Sequence, residues 1–219
     1  MTPVVDSDSR SLGRPWGWTL AAALFLIASF ELARAQEQTD SAGPEKSGVL
    51  LTPTPEPVVR RMLELGGAGP DELVADLGSG DGRIPIAAAR DFGARGFGVE
   101  IDKRLLAVAR GNAEAADVAD RVVFRDQDLF ETDLSHVTVL TLYLLPSMNM
   151  RLRSRILLQM RPGARVVTHE YGLGGWLPDH RETVQGSTIF LWVVPAAVEG
   201  TWRVETGEGA FLIHIKQTY

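Results

Sequence analysis

Leu73-Val74-Ala75-Asp76-Leu77-Gly78-Ser79-Gly80-Asp81-Gly82 is the stretch from which the fold can be read. The mostly apolar run Leu73–Leu77 reads as a buried strand carrying one acid, Asp76. Gly78, Gly80 and Gly82, alternating with small polar residues, read as a tight turn, and a helical pattern follows from Arg83 to Phe92. Such a unit lays main chain against a ligand, with free N–H groups and the positive end of the helix dipole facing it. The spacing is G-x-G-x-G, and Arg83 stands where the dinucleotide fingerprint wants its third glycine. A second strand, Gly96–Ile101, carries Glu100 eighteen residues after Gly82. That is about the distance at which a doubly wound sheet brings a carboxylate to ribose hydroxyls. These features predict an α/β fold with a doubly wound, Rossmann-like, mostly parallel sheet and a nucleoside ligand across its first two strand tips. A nicotinamide dinucleotide and an ordinary α/β turn are the competing readings.

Outward from this unit, the chain divides into three parts. Residues 1–35 read as a targeting segment: Arg10 and Arg14 precede an apolar run from Trp16 to Phe30, and Ala33-Arg34-Ala35 is an A-x-A cleavage pattern. Cleavage predicts an exported or periplasmic protein; an uncleaved amino-terminal membrane anchor is the alternative. Residues 36–48 are polar and rich in Gln, Glu, Ser and Gly, as in a flexible linker. Residues 49–219 are enough for one α/β domain. The net charge of −6 argues against broad nucleic-acid binding, and the absence of cysteine excludes disulfides, thiolate zinc sites and thiol nucleophiles.

Within the domain, a proline-stiffened lead-in, Thr52-Pro53-Thr54-Pro55-Glu56-Pro57, opens a helix with Val58, Val59, Met62, Leu63 and Leu65 on its apolar face. Asp102 is placed to cap the helix that follows Glu100. A third strand is predicted at Arg121–Arg125 and a fourth, buried on both faces, at Val137–Leu145. Pro146 opens a helix to Met160 with Met150, Ile156, Leu157 and Met160 as its core stripe, and a fifth strand spans Ala164–His169. Tyr171 to Arg181 reads as a Gly-rich loop. Strands at Thr188–Val194, Thr201–Glu205 and Ala210–Lys216 read as antiparallel additions at the carboxyl-terminal end of the sheet.

The set of strand, acid, glycine turn, helix, strand and acid resembles motif I and the following acidic motif of class I S-adenosylmethionine-dependent methyltransferases. The resemblance implies S-adenosylmethionine as cofactor, held by Asp76 at its ammonium, by the backbone of Gly78, Ser79, Gly80 and Gly82, and by Glu100 at the ribose. Asp128 would receive the adenine amino group, with Leu129 as apolar wall, and Thr54 (or Thr52) would close over the amino-acid end. Asp76 as a turn-forming acid, Glu100 as a helix cap and Asp126 or Asp102 in place of Asp128 stay open. Methyl transfer from a sulfonium depends on positioning and desolvation more than on acid–base machinery. The acceptor site is therefore expected at Tyr143-Leu144-Leu145-Pro146, where Tyr143 either orients an amine or packs as a strand residue. His169, Glu170 and Tyr171, with Trp176 beyond them, are the next candidates. A metal site built from His169, Glu170, Asp179 and His180 is disfavoured, because adjacent residues of an extended chain point to opposite sides.

Four segments are similar to a smaller group: Thr54-Pro55-Glu56-Pro57-Val58-Val59, Asp76 to Arg83, Asp128-Leu129-Phe130 and Tyr143-Leu144-Leu145-Pro146. This group includes the mitochondrial protein-lysine methyltransferases of the ATP synthase c subunit and the adenine nucleotide translocase. The likeness spans about Leu50 to Pro195 and implies protein-lysine methylation, with a membrane protein as a possible substrate. The Asn-Pro-Pro-Tyr motif of amino-base methyltransferases is absent, which counts against DNA adenine methylation. A small-molecule acceptor, or an exported sensor or inactive protein that binds the cofactor without transferring the methyl, are the other expectations.

Overall fold

The computed structural model describes residues 52–207 and 209–217. The leader at 1–35 and the linker at 36–48 lie outside the described residues. The chain alternates α1 (Glu56–Leu65), β1 (Leu73–Leu77), α2 (Arg83–Phe92), β2 (Arg95–Glu100), α3 (Lys103–Ala115), β3 (Val122–Asp126), β4 (Val139–Leu142), α4 (Pro146–Gln159) and β5 (Arg165–His169). Then come β6 (His180–Val184), β7 (Ser187–Val193), β8 (Gly200–Thr206) and β9 (Gly209–Ile215). The helix starts follow local chemistry. Pro57 sits in the first turn of α1, where a missing N–H costs nothing, and the Asp102 carboxylate caps α3 by accepting from the Arg104 N–H at 2.8 Å.

Seven strands form one sheet in the order β3-β2-β1-β4-β5-β7-β6, parallel except for β7, which runs antiparallel to both of its neighbours. The chain leaves β1 towards β2 and β3, then returns to place β4 on the other side of β1. The order therefore reverses at β1, and a crevice opens at its carboxyl end. Strand alternation sends residues to two cores. Ala75, Leu77, Leu140, Leu142 and Val166 meet Leu152 and Ile156 of α4 on one face. Val74, Val139, Val167 and Ile189 meet Val58 and Met62 of α1 and Ala87 and Ala88 of α2 on the other. Helices on both faces of a mostly parallel sheet make the fold doubly wound, as expected.

Four local expectations change. β4 is shorter than Val137–Leu145: its ladder ends where Leu142 pairs with Leu77 and Thr168, so Tyr143 to Leu145 leave the sheet at the crevice. In α4 the phase set by Pro146 turns Asn149, Leu152 and Ile156 inward and leaves Met150 45% exposed. β6 occupies the end of the expected loop; its His-Arg-Glu-Thr-Val sequence is that of a polar edge strand with no apolar alternation to reveal it. The β8–β9 hairpin is a two-stranded sheet of its own and does not extend the parallel one. No helix among the described residues is long and apolar enough to cross a membrane.

Candidate active site

The glycine turn is built for close packing below and open space above. Gly78, Gly80 and Gly82 all have positive φ, at 80°, 52° and 79°. A Cβ on Gly82 would overlap the Phe124 ring, and one on Gly98 would overlap the Ser79 side chain, so β2, β3 and α3 come up tight beneath the turn. A Cβ on Gly80 would meet nothing within 4 Å.

Four of the turn's N–H groups are already engaged within the protein. The amides of Gly78 and Ser79 donate to Val99 O at 2.8 and 3.0 Å, that of Gly80 to Glu100 Oε2 at 3.1 Å, and that of Gly82 to Ser79 O at 2.8 Å. The carbonyls of Gly78 and Gly80 receive no hydrogen bond among the described residues. The turn thus offers acceptors where a phosphate would need donors. An acceptor surface suits an ammonium or sulfonium and disfavours the dinucleotide reading.

Three carboxylates sharpen that preference. Glu100 is 9% exposed and takes three main-chain N–H groups, from Gly80, Ile101 (2.9 Å) and Asp102 (3.0 Å). Asp76 is buried and accepts from the Thr141 hydroxyl at 2.8 Å. Burial pushes its carboxyl up to about 7; the Thr141 bond opposes this, and the charges of Asp81 and Glu100 add to it. A nearby cation would favour the ionised form of such a group. Asp81 pairs with Arg83 at 2.6 Å, which holds its carboxyl below the usual range, and Arg83 also donates to Thr54 O at 2.9 Å. One guanidinium thereby ties the lead-in before α1 to the glycine turn.

Beside the turn lies a cleft of about 270 Å³ between Gly78, Glu100, Ile101, Asp128, Leu129 and Phe130. The Glu100 carboxylate lines it together with the mostly apolar side chains of Val99, Leu129 and Phe130. Asp128 lines it, whereas Asp126 faces Lys103 at 3.6 Å; Asp128 Oδ1 also caps the following turn by accepting from Phe130 N at 2.8 Å. Ile101, Gln127, Met148 and Arg151 line the cleft too, and the sequence reading missed them. Ile101 had a signal: a large aliphatic residue directly after the strand-end acid, and it is 70% exposed at the cleft mouth.

Across the crevice the structure brings Thr54, Tyr143 and His169 together. The Tyr143 and His169 rings lie 4.0 Å apart, tilted by 42°. His169 is 2% exposed, its Nδ1 lies 3.1 Å from Thr54 Oγ1, and its Nε2 is buried without a hydrogen-bond partner. Burial lowers the imidazole pKa, with the Glu170 charge acting against it, and burial likewise raises the Tyr143 phenol. Glu170 itself has φ 63°, and its Oε1 accepts from Thr188 N at 3.3 Å while standing 3.6 Å from His169 Nε2. Trp176 does not join this group: it is buried in the core, and its carbonyl accepts from Trp192 Nε1 at 3.0 Å. No cluster of His, Cys, Asp and Glu able to hold a metal is present among the described residues.

A glycine turn with strand-end acids at the switch point of a doubly wound sheet fits a class I S-adenosylmethionine-dependent methyltransferase. Comparison with known proteins agrees. The family model for the ANTKMT methyltransferase domain matches residues 76–180. A protein-lysine N-methyltransferase from Saccharolobus islandicus is 41% identical over 151 residues, covering 67% of this chain and 94% of that protein. The lysine N-methyltransferase of the ATP synthase c subunit from Xenopus laevis is 27% identical over 181 residues, covering 81% and 77%. Among solved structures, an RNA methyltransferase from Salinibacter ruber in complex with S-adenosyl-L-homocysteine aligns with a TM-score of 0.65 at 52% identity, covering 67% of this chain and 95% of that one. The chain belongs to the same family of methyltransferases as the Saccharolobus protein.

Two measurements separate the parts of this site. Gly80→Ala strains a left-handed residue by about 1–2 kcal/mol but fills the open space, so cofactor binding falls at least about tenfold with a small loss of melting temperature. Gly82→Ala adds overpacking of about 1–3 kcal/mol to the same strain and lowers the melting temperature further. For Asp76, the folded value of about 7 lies above its unfolded value, so the group's contribution to the unliganded fold is full below about 4 and is lost as pH rises through about 7. Binding of a cation needs the ionised form. The affinity for S-adenosylhomocysteine therefore rises by up to about tenfold per pH unit below about 7 and levels off above it; Asp76→Asn removes the slope.

Proposed function

We propose that this methyltransferase acts on the ε-amine of a lysine in a protein substrate. The observation that carries the reading is the pairing of Tyr143 with a buried, neutral His169 at the tips of β4 and β5. S-adenosylmethionine, when bound, supplies an electrophilic methyl group on a sulfonium, and we assign it to Asp76, the glycine turn, Glu100, Asp128 and Leu129. The work left to the protein is to hold a neutral amine with its lone pair directed. With Nδ1 3.1 Å from Thr54 Oγ1 and Nε2 buried, His169 holds the Tyr143 ring in place at the crevice rather than meeting the amine itself. Its depressed pKa keeps the ring uncharged beside a cationic centre. The Tyr143 ring face accommodates the charge of the amine, before proton loss and after methylation. Glu170 adds a carboxylate at the edge of the same group, 3.6 Å from the His169 nitrogen.

The Saccharolobus and Xenopus relatives, both named as lysine methyltransferases, support this reading. An RNA acceptor is the second reading, favoured by the likeness to the Salinibacter protein, which is named an RNA methyltransferase. The leader pattern at 1–35 supports action at a membrane or beyond it. Transfer of labelled methyl to a membrane extract decides between the acceptors. The label is expected in protein, resistant to ribonuclease and recovered as methyl-lysine after hydrolysis; ribonuclease-sensitive label would assign RNA instead. His169→Gln is expected to lower kcat about 10- to 100-fold with the affinity for S-adenosylhomocysteine within about twofold.

A further inference from the structure

In a chain of net charge −6, residues 137–169 contain five arginines and no aspartate or glutamate. Arg165 pairs with Glu72 at 2.8 Å. The other four, Arg151, Arg153, Arg155 and Arg161, belong to α4 and its end, and none is in an ion pair among the described residues. Arg151 and Arg161 are exposed, and Arg151 stacks on Phe130 at 3.7 Å; Arg153 and Arg155 are half-buried, giving one N–H each to Leu173 O at 3.4 Å and Thr132 O at 2.8 Å, and the Arg155 Nε is buried.

Helical phase puts Ser147, Met150, Arg151, Ser154, Leu158 and Arg161 on the solvent side, opposite the buried Asn149, Leu152 and Ile156. Leu158 is 85% exposed. The loop that packs on α4 through Gly174 carries Leu177, 82% exposed, and Leu145 before the helix is 45% exposed. The outer face of α4 is thus cationic with bare aliphatic side chains among the arginines.

We propose that this face of α4 docks on an anionic lipid bilayer, guanidinium groups on headgroup phosphates and the leucines in the acyl boundary. Charge complementarity selects an anionic partner, since this face is unneutralised in an otherwise acidic protein. The exposed leucines select lipid over nucleic acid. A phosphate backbone gives them no apolar layer, and α4 carries no aromatic side chain on which a base could stack. The placement also has a consequence for the site. Met148 and Arg151 line the cofactor cleft, and Asn149 donates to Tyr171 O at 3.0 Å, beside His169 and Glu170. A bilayer under α4 therefore lies next to the cofactor cleft, which Arg151 of the outer face also lines. The inference does not depend on which acceptor is methylated.

The test is partitioning of the full chain between vesicles of phosphatidylcholine alone and vesicles in which roughly one third is phosphatidylglycerol. The ratio of the two isolates the contribution of charge from any apolar anchor. A preference for the anionic vesicles of at least about tenfold at low salt, lost at high salt, is expected. Arg155→Gln, Leu158→Ser and Arg161→Gln together are expected to cut that preference about tenfold or more, while Arg155→Lys with Arg161→Lys keeps it. The affinity for S-adenosylhomocysteine serves as the folding control for both variants. The proposal is overturned if the triple variant keeps the preference. It is also overturned if wild type binds polyuridylate more tightly than the vesicles at equal charge and the same substitutions abolish that binding.

Discussion

Glu100 closes the crevice from its far side by gathering the main-chain N–H groups of Gly80, Ile101 and Asp102 onto one carboxylate. This fixes the tip of β2 against the glycine turn and leaves a carboxylate at the edge of the cleft. The neighbouring geometry depends on it. If the turn drifted from β2, Gly98 would no longer pack on Ser79, and the open space above Gly80 would lose its floor. A charged acceptor with several donors contributes more than neutral hydrogen bonds do, and a low-dielectric crevice strengthens it further.

Charge sign is the second theme of the site. The glycine turn pairs the amides of Gly78, Ser79, Gly80 and Gly82 internally and leaves the carbonyls of Gly78 and Gly80 without donors among the described residues, Asp76 is too buried to ionise readily alone, and Glu100 stands close by. All three favour a cationic ligand. The same turn in a phosphate site would present the opposite polarity, so the sign of the main-chain dipoles distinguishes a sulfonium cofactor from a dinucleotide at a similar fold position. On the proposed acceptor side, burial lowers the His169 imidazole and raises the Tyr143 phenol, so neither adds charge at the crevice.

Much of this was legible in the residues, because strong periodicity and turn chemistry agree. Leu73–Leu77 and Arg83–Phe92 come out with the boundaries read from the sequence, since a buried strand, left-handed glycines and an apolar helical face leave little choice. Asp102 caps its helix as its residue type predicts. The misses are places where tertiary context decides. The direction of the turn amides depends on Val99 and Glu100 arriving opposite them, which spacing cannot reveal. Met150 and Asn149 exchange places because Pro146 sets the helical phase, against residue polarity. β6 is a polar edge strand that only its pairing with β7 makes visible. The Thr54–His169 contact joins residues 115 positions apart.

The account stands on a nucleoside gripped by Glu100 across the first two strand tips. Calorimetric titration of S-adenosylhomocysteine into wild type and Glu100→Ala tests this most directly. Loss of the ribose acceptor, together with the anchor of the Gly80 amide, predicts affinity weaker by about 10- to 100-fold, or roughly 1.4–2.8 kcal/mol. An unchanged dissociation constant in a folded variant would contradict the placement of the cofactor and, with it, the assignment of the crevice.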